Sequence, residues 1–187
     1  GKVQNVLPGM QAAFVDIGLE RNAFLYAGDI QTDNSEFTFN GEVSSIPNGV
    51  PNIRDIVRVN QEIMVQIVKE PVGTKGARVT TNITLPGRTL VLMPSVSYIG
   101  VSRRIEDESE RMRLKATFER VAGRTAMGAI VRTAAIGKSD AEFEADYVFL
   151  TRLWERICQK SDMVSAPRLL HAEEPLVFRT IRDIFTP

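Results

Sequence analysis

The apolar residues of this chain change their period partway along, and that change constrains the fold more than any other feature. In residues 2–7, 11–17, 21–26, 61–69 and 77–83 they fall in short runs rich in Val, Ile, Phe, Ala and Leu. Turn residues such as Pro8-Gly9, Gly18 and Gly73-Thr74-Lys75-Gly76 separate the runs. A strand turns successive side chains to opposite faces, so Ala13, Val15 and Ile17 share one face while Ala12, Phe14 and Asp16 share the other. From Asp107 onward apolar residues recur every three or four positions instead: Leu114, Phe118 and Val121, then Phe143, Tyr147, Leu150, Trp154 and Ile157. That is the spacing of one helix face. Strands followed by a mixture of helices and strands place the chain in the α+β class.

Residues 28–60 interrupt the strands with Asp, Asn, Ser, Gly and Pro, and read as one large loop. Five short strands with one such insertion match the strand count of an OB-type barrel. Beyond residue 82, residues 89–93 (TLVLM) predict a buried strand and residues 98–105 a second. A helix begins at Asp107 and stops at Gly123, and residues 128–131 (GAIV) predict a further strand. Ser139-x-x-Glu142 forms a capping box that opens the next helix, and Ser165-Ala166-Pro167 closes it. A short strand near Leu169-Leu170 and a helix over 176–185 complete the expectation. The opening Gly1-Lys2-Val3, without an initiator methionine, reads as the start of a piece of something longer.

The formal net charge of zero conceals a strong asymmetry. Residues 72–138 hold 12 basic and 5 acidic side chains, between an N-terminal stretch with 5 and 9 and a C-terminal stretch with 6 and 9. A basic block of this kind concentrates a polyanion locally; it is equally the composition of a solvated helix face carrying Arg111, Arg113, Lys115 and Arg120. No apolar run approaches the roughly 20 residues that span a bilayer. The lone Cys158 excludes an intrachain disulfide and a cysteine-based zinc site within the chain, and fits a reducing cytoplasm.

Phe14 and Phe24 on neighbouring strands, with Lys75 in the nearby turn, have the chemistry of a stacking platform for unpaired bases, although two core phenylalanines would look the same. Residues 128–139 (GAIVRTAAIGKS) invite comparison with a phosphate-cradling loop. That motif needs a glycine five positions before Gly137, and Arg132 stands there. Arg132-Thr133 instead offers a guanidinium fork and a hydroxyl suited to a terminal phosphate. Asp140, Glu142, Glu144 and Asp146 lie in the first turns of a capped helix, where the macrodipole favours carboxylates over any need for a metal. His171 and Cys158 fall on different elements, so no nucleophile–base pair is evident.

The run GKVQNVLPGMQAAFVDIGLERNAFL (1–25), the VQIVKEPVGTKGARVTT stretch (65–81), residues 90–94, SRRI (102–105) and GAIVRTAAIGKS (128–139) together resemble the ribonuclease E/G endoribonucleases, in the family's order and across nearly the whole chain. The resemblance implies an RNA-binding OB domain over 1–81, a 5′-sensor α/β subdomain over 82–177, and the truncated start of a ribonuclease-H-like subdomain over 178–187. It implies RNA contacts by Phe14, Phe24 and Lys75, and 5′-monophosphate gripping by Arg132 and Thr133 with Gly87 and Val91 in support. Arg103 and Arg104 match an arginine pair of the family and are possible RNA contacts. The family's Mg²⁺-binding acids and its zinc-linking Cys-Pro-x-Cys motif have no counterpart here, so the chain alone is expected to bind without cleaving. The implied setting is RNA processing and decay by a cytoplasmic homo-oligomer that recognises single-stranded RNA with a 5′-monophosphate. A freestanding RNA-binding regulator without nuclease activity is the alternative. A phosphotransfer enzyme is disfavoured by the missing glycine.

Overall fold

The computed structural model describes residues 1–30, 52–123 and 127–173, so most of the expected polar loop and the expected helix over 176–185 lie outside the described residues. The chain divides into two compact units, Gly1–Ile83 with Lys160–Leu170 and Thr84–Gln159 with His171–Pro187. Both strands and helices are present, as the change of period requires.

The first unit is built on a five-stranded sheet of β1 (Lys2–Leu7), β2 (Ala12–Asp16), β3 (Ala23–Tyr26), β4 (Gln66–Lys69) and β5 (Arg78–Thr80), in the order β1-β2-β3-β5-β4. β3 and β5 run parallel and the other neighbours antiparallel. The alternation expected in β2 is realised: Ala13 and Val15 are fully buried with Val3, Ala23, Leu25 and Val79, while Phe14 lies on the opposite face. Only part of the expected strand 61–69 is regular. Residues 60–63 bond to β1 instead: the Val3 amide donates to the Gln61 carbonyl at 2.9 Å, Asn60 to Val3 at 2.8 Å, and Ile63 to Gly1 at 2.9 Å. Within the stretch read as loop stands a single helical turn, α1 (Ile53–Ile56), which puts Ile53 into the core and is capped by the Asn52 side chain. Four residues are too few for helical periodicity to register.

In the second unit, β6 (Leu85–Pro86), β7 (Leu90–Met93), β8 (Ile99–Val101) and β9 (Gly128–Val131) form a sheet in the order β6-β7-β9-β8, with β8 parallel to β9. β9 is buried along its whole length, which accounts for a sequence without polar residues. Helices α2 (Glu108–Ala122) and α3 (Asp140–Met163) follow the predicted stripes. Phe118 meets Tyr147 and Phe143 edge-on at 5.7 and 6.3 Å between ring centroids, so the two stripes close on each other. Asp107 caps α2, accepting from the Ser109 amide at 2.9 Å. The capping box of α3 is formed both ways: the Glu142 amide donates to Ser139 Oγ at 3.3 Å and the Ser139 amide to Glu142 Oε2 at 3.0 Å.

Two expectations are corrected. Residues 98–105 hold only a three-residue strand, after which Ser102–Ile105 turn away, with the Ile105 amide donating to the Ser102 carbonyl at 3.1 Å. Leu169-Leu170 is not a strand; Leu169 is 66% exposed, and two adjacent leucines without a sheet edge to join carry no strand signal. Among the described residues no helix is long and apolar enough to cross a membrane.

Candidate nucleic-acid interface

Phe14 and Phe24 face each other across the β2–β3 register, their rings edge-to-face with centroids 6.0 Å apart. Both are half-buried, unlike Ala13, Val15, Ala23 and Leu25 between them, so they sit on the sheet's outer face rather than in the core. Register extends this row: Asn5 pairs with Phe14 on one side, and Phe24 pairs with Arg78 and Arg78 with Lys69 on the other. Two rings are thus followed by two cations on one line across the sheet. Asp29 steadies Arg78, accepting from its Nε at 3.0 Å and its Nη2 at 2.7 Å, while Arg78 stays exposed. Lys75 is exposed in the turn before β5, where Gly73 takes φ +57° and Val72 and Lys75 exchange backbone hydrogen bonds of 3.2 and 3.0 Å. Arg21 donates to the Thr74 carbonyl, which ties this turn to the segment entering β3. Lys69 and Arg78 escaped the sequence reading because their place in the row depends on β5 pairing in parallel with β3 across a long insertion. No local pattern encodes that pairing.

The second unit gathers its candidates at one end of its sheet. Parallel β8 and β9 finish side by side there, with Ser102 donating to the Val131 carbonyl at 2.9 Å. β7 starts at the same end, so the Arg132 amide donates to the Thr89 carbonyl at 2.7 Å. Arg132 and Thr133, the exposed Arg103 and Arg104, and Arg88 in the β6–β7 turn therefore all issue from the carboxyl ends of β8 and β9 or directly beside them. Arg132 Nη1 donates to the Gly87 carbonyl at 2.5 Å. Thr133 is exposed at the start of a single 3-10 turn over Thr133–Ala135. Val91 is half-buried on β7, registered between Pro86 and Ile130. Arg88 was not singled out from the sequence; a lone arginine beside a glycine carries no signal until the turn is seen.

Gly87 is buried, and a Cβ there would stand 2.7 Å from both carboxylate oxygens of Asp146 and 2.7 Å from Leu150 Cδ1, so a side chain would displace them. Asp146 takes this position to accept hydrogen bonds from three successive amides, Arg88 and Leu90 at 3.3 Å each and Thr89 at 2.8 Å, and from Thr89 Oγ1 at 2.8 Å.

The segment Gly137-Lys138-Ser139 has structural duties. The Gly137 amide donates to Glu110, the Lys138 ammonium to Glu142, and Ser139 caps α3. Arg113 and that Gly137 amide lower the Glu110 carboxyl to about 2, and Lys138 with Ser139 lowers Glu142 to about 2. Asp140 is held below the usual carboxylate range by the Thr117 hydroxyl and then by Arg120. Three of the four acids at the start of α3 are thus committed to side chains or backbone of the protein. Among the described residues no three His, Cys, Asp or Glu side chains gather as metal ligands would. No hydrolytic step is assigned to the described residues.

The sequence profile of the Ribonuclease E/G family matches residues 84–187. Ribonuclease G of Haemophilus influenzae is 48% identical over 183 residues, which are 98% of this chain and 36% of that protein. Ribonuclease G of Escherichia coli is 46% identical over 183 residues, with 98% and 37% covered. Ribonuclease E of a Nostoc species is 41% identical over 188 residues, covering 99% of this chain and 25% of that protein. The chain thus spans little more than a third of the length of these Ribonuclease G relatives and a quarter of that of the Ribonuclease E.

Proposed function

The chain belongs to the ribonuclease E/G family, and on that premise we propose that it is an RNA-recognising part of a ribonuclease E/G-type endoribonuclease, holding single-stranded RNA on its first unit and a 5′-monophosphate end on its second. In this reading the first unit is an OB-type barrel. Support comes from the segment 60–69, which bonds to β1 through residues 60–63 and to β5 through residues 66–69 and so joins the two edges of the sheet. Unpaired bases stack on Phe14 and Phe24, and Lys75, Arg78 and Lys69 hold the backbone beside them. Contacts of this kind fix the register of a strand without reading its sequence, so little sequence preference is expected.

The observation that carries the end-sensing half is the placement of Arg132. Its guanidinium is steadied by the Gly87 carbonyl at 2.5 Å, its neighbour Thr133 offers an exposed hydroxyl, and Arg88, Arg103 and Arg104 share the same sheet end. A guanidinium fork with an adjacent hydroxyl matches the oxygens of one phosphate. A site of that size favours a 5′-monophosphate over a triphosphate. Phosphodiester hydrolysis with Mg²⁺ is assigned to the longer protein, outside the described residues.

The test is fluorescence anisotropy with a short 3′-labelled single-stranded RNA carrying a 5′-monophosphate or a 5′-hydroxyl, on this chain and on Arg132→Ala. A preference for the monophosphate that disappears in the variant is the expected result. Equal binding of both RNAs by the unaltered chain would remove the sensing function and leave the stacking face alone.

A further inference from the structure

The carboxylate of Asp146 sits where an anion-binding nest would hold a ligand. Three consecutive amides, Arg88, Thr89 and Leu90, converge on it with the Thr89 hydroxyl, and Thr89 is only 2% exposed. Successive N–H groups aimed at one point form such a nest, and here the protein supplies the anion from α3. The arrangement satisfies donors that the tight β6–β7 turn would otherwise leave buried without partners.

Its consequence lies in the peptide unit between Gly87 and Arg88. A trans peptide is planar, with its N–H and C=O directed oppositely. Asp146 accepts from the Arg88 N–H of that unit, so the Gly87 carbonyl is turned the other way, where Arg132 Nη1 donates to it at 2.5 Å. One rigid plate thus has the carboxylate on one edge and the guanidinium on the other. The missing side chain at position 87 lets the carboxylate and Leu150 come this close.

We propose that Asp146 is the positioning residue of the phosphate site: by holding the Gly87–Arg88 peptide from α3, it fixes the carbonyl that aims the Arg132 guanidinium. This rests on the reading of Arg132 as the 5′-phosphate grip. It adds that the acid's task is to orient a cation it does not itself bind. A carboxylate beside a phosphate site is electrostatically unfavourable on its own, and the geometry gives a reason for its presence: its charge is spent on the nest.

The experiment compares the affinities of 5′-monophosphorylated and 5′-hydroxyl RNA for the unaltered chain, Asp146→Asn, Thr89→Val, Arg132→Ala and the Asp146→Asn/Arg132→Ala double variant, with thermal unfolding of each. Asparagine keeps the shape of aspartate but turns a donor toward the nest. Asp146→Asn is expected to lower the monophosphate preference about tenfold, the loss of one charged hydrogen bond, while leaving 5′-hydroxyl affinity in place. Thr89→Val, which removes a single donor, should lower the preference less and serves if Asp146→Asn does not fold. In the Arg132→Ala background Asp146→Asn should change the preference no further, because both act through one guanidinium. A preference retained in both Asp146→Asn and Thr89→Val, an equal loss for both RNAs, or full additivity with Arg132→Ala would overturn the positioning role while leaving the end-sensing function intact. Absence of any preference in the unaltered chain would overturn both.

Discussion

Phe14 and Phe24 pose the sharpest question at the scale of single residues, because a phenylalanine on a strand is ordinarily core. Their half-exposure opposite a fully buried aliphatic face means that truncating either ring removes little from the packing within the sheet. The rings cover each other edge-to-face, so each also holds its neighbour in place. Phe14→Ala or Phe24→Ala is therefore expected to weaken single-stranded RNA binding by about 1–3 kcal/mol for each base that loses its platform, in equal measure for 5′-monophosphate and 5′-hydroxyl RNA. Anisotropy with the same two RNAs measures it, and unchanged affinity would place RNA elsewhere. The pair was legible in the sequence as two aromatics on neighbouring strands, but its exposure was not. Alternation separates the faces of a strand without saying which one the solvent reaches, and that was decided by the small residues Ala13 and Ala23 filling the other side.

Among the elements, helix starts were the most readable feature, since a cap is a local contract between residues three apart. Ser139 and Glu142 bond as the sequence requires. The elements that were missed are the short ones, β6 with two residues and α1 with four, and β8 is shorter than expected. They are too short to leave a periodic trace. The cap also fixes how the second unit responds to acid. Glu142 and Glu110 have carboxyls lowered to about 2 from 4.5, so each contributes stability above its unfolded value and loses it as the pH falls through the folded one. Both pairs are near the surface and screened by salt, so the contribution is modest. Glutamine at position 142 can still accept the capping hydrogen bond but carries no charge. Glu142→Gln is thus expected to unfold more readily than the unaltered chain at neutral pH, with the difference closing as the pH drops from 4.5 toward about 2. Thermal unfolding followed across that range checks it; a difference independent of pH would mean that Lys138 is not a partner of Glu142 in solution.

Across the whole molecule, a formal charge of zero argues against binding a polyanion unless the basic residues are both segregated and available. The sequence displayed segregation, with 12 basic residues among 72–138, but not availability. The structure sorts these basic residues by place. Arg113 is forked onto Glu110 at 2.7 Å through both Nε and Nη2, Arg111 bonds the Ser102 and Ile105 carbonyls, and Arg120 is paired with Asp140, so these charges on α2 serve the fold. Arg88, Arg103, Arg104 and Arg132 stand at the sheet end, Arg132 on the Gly87 carbonyl, and Lys69, Lys75 and Arg78 beside the aromatic pair, Arg78 held by Asp29. The arginines of α2 are thus engaged within the protein, and a phosphate-binding role is proposed only for those of the sheet end. Salt dependence distinguishes them, because only a cation that neutralises a phosphate releases counterions, at roughly 0.7 in the slope of log K against log salt for each contact with a single strand. Titrating 5′-monophosphate RNA over a range of KCl concentrations, Arg132→Ala should lessen the slope by about that amount. Arg113→Gln, although it removes the same charge from the same basic block, should leave the slope unaltered. Equal flattening by both variants would mean that the block acts as a diffuse field, and that the sheet end has no privileged hold on the RNA.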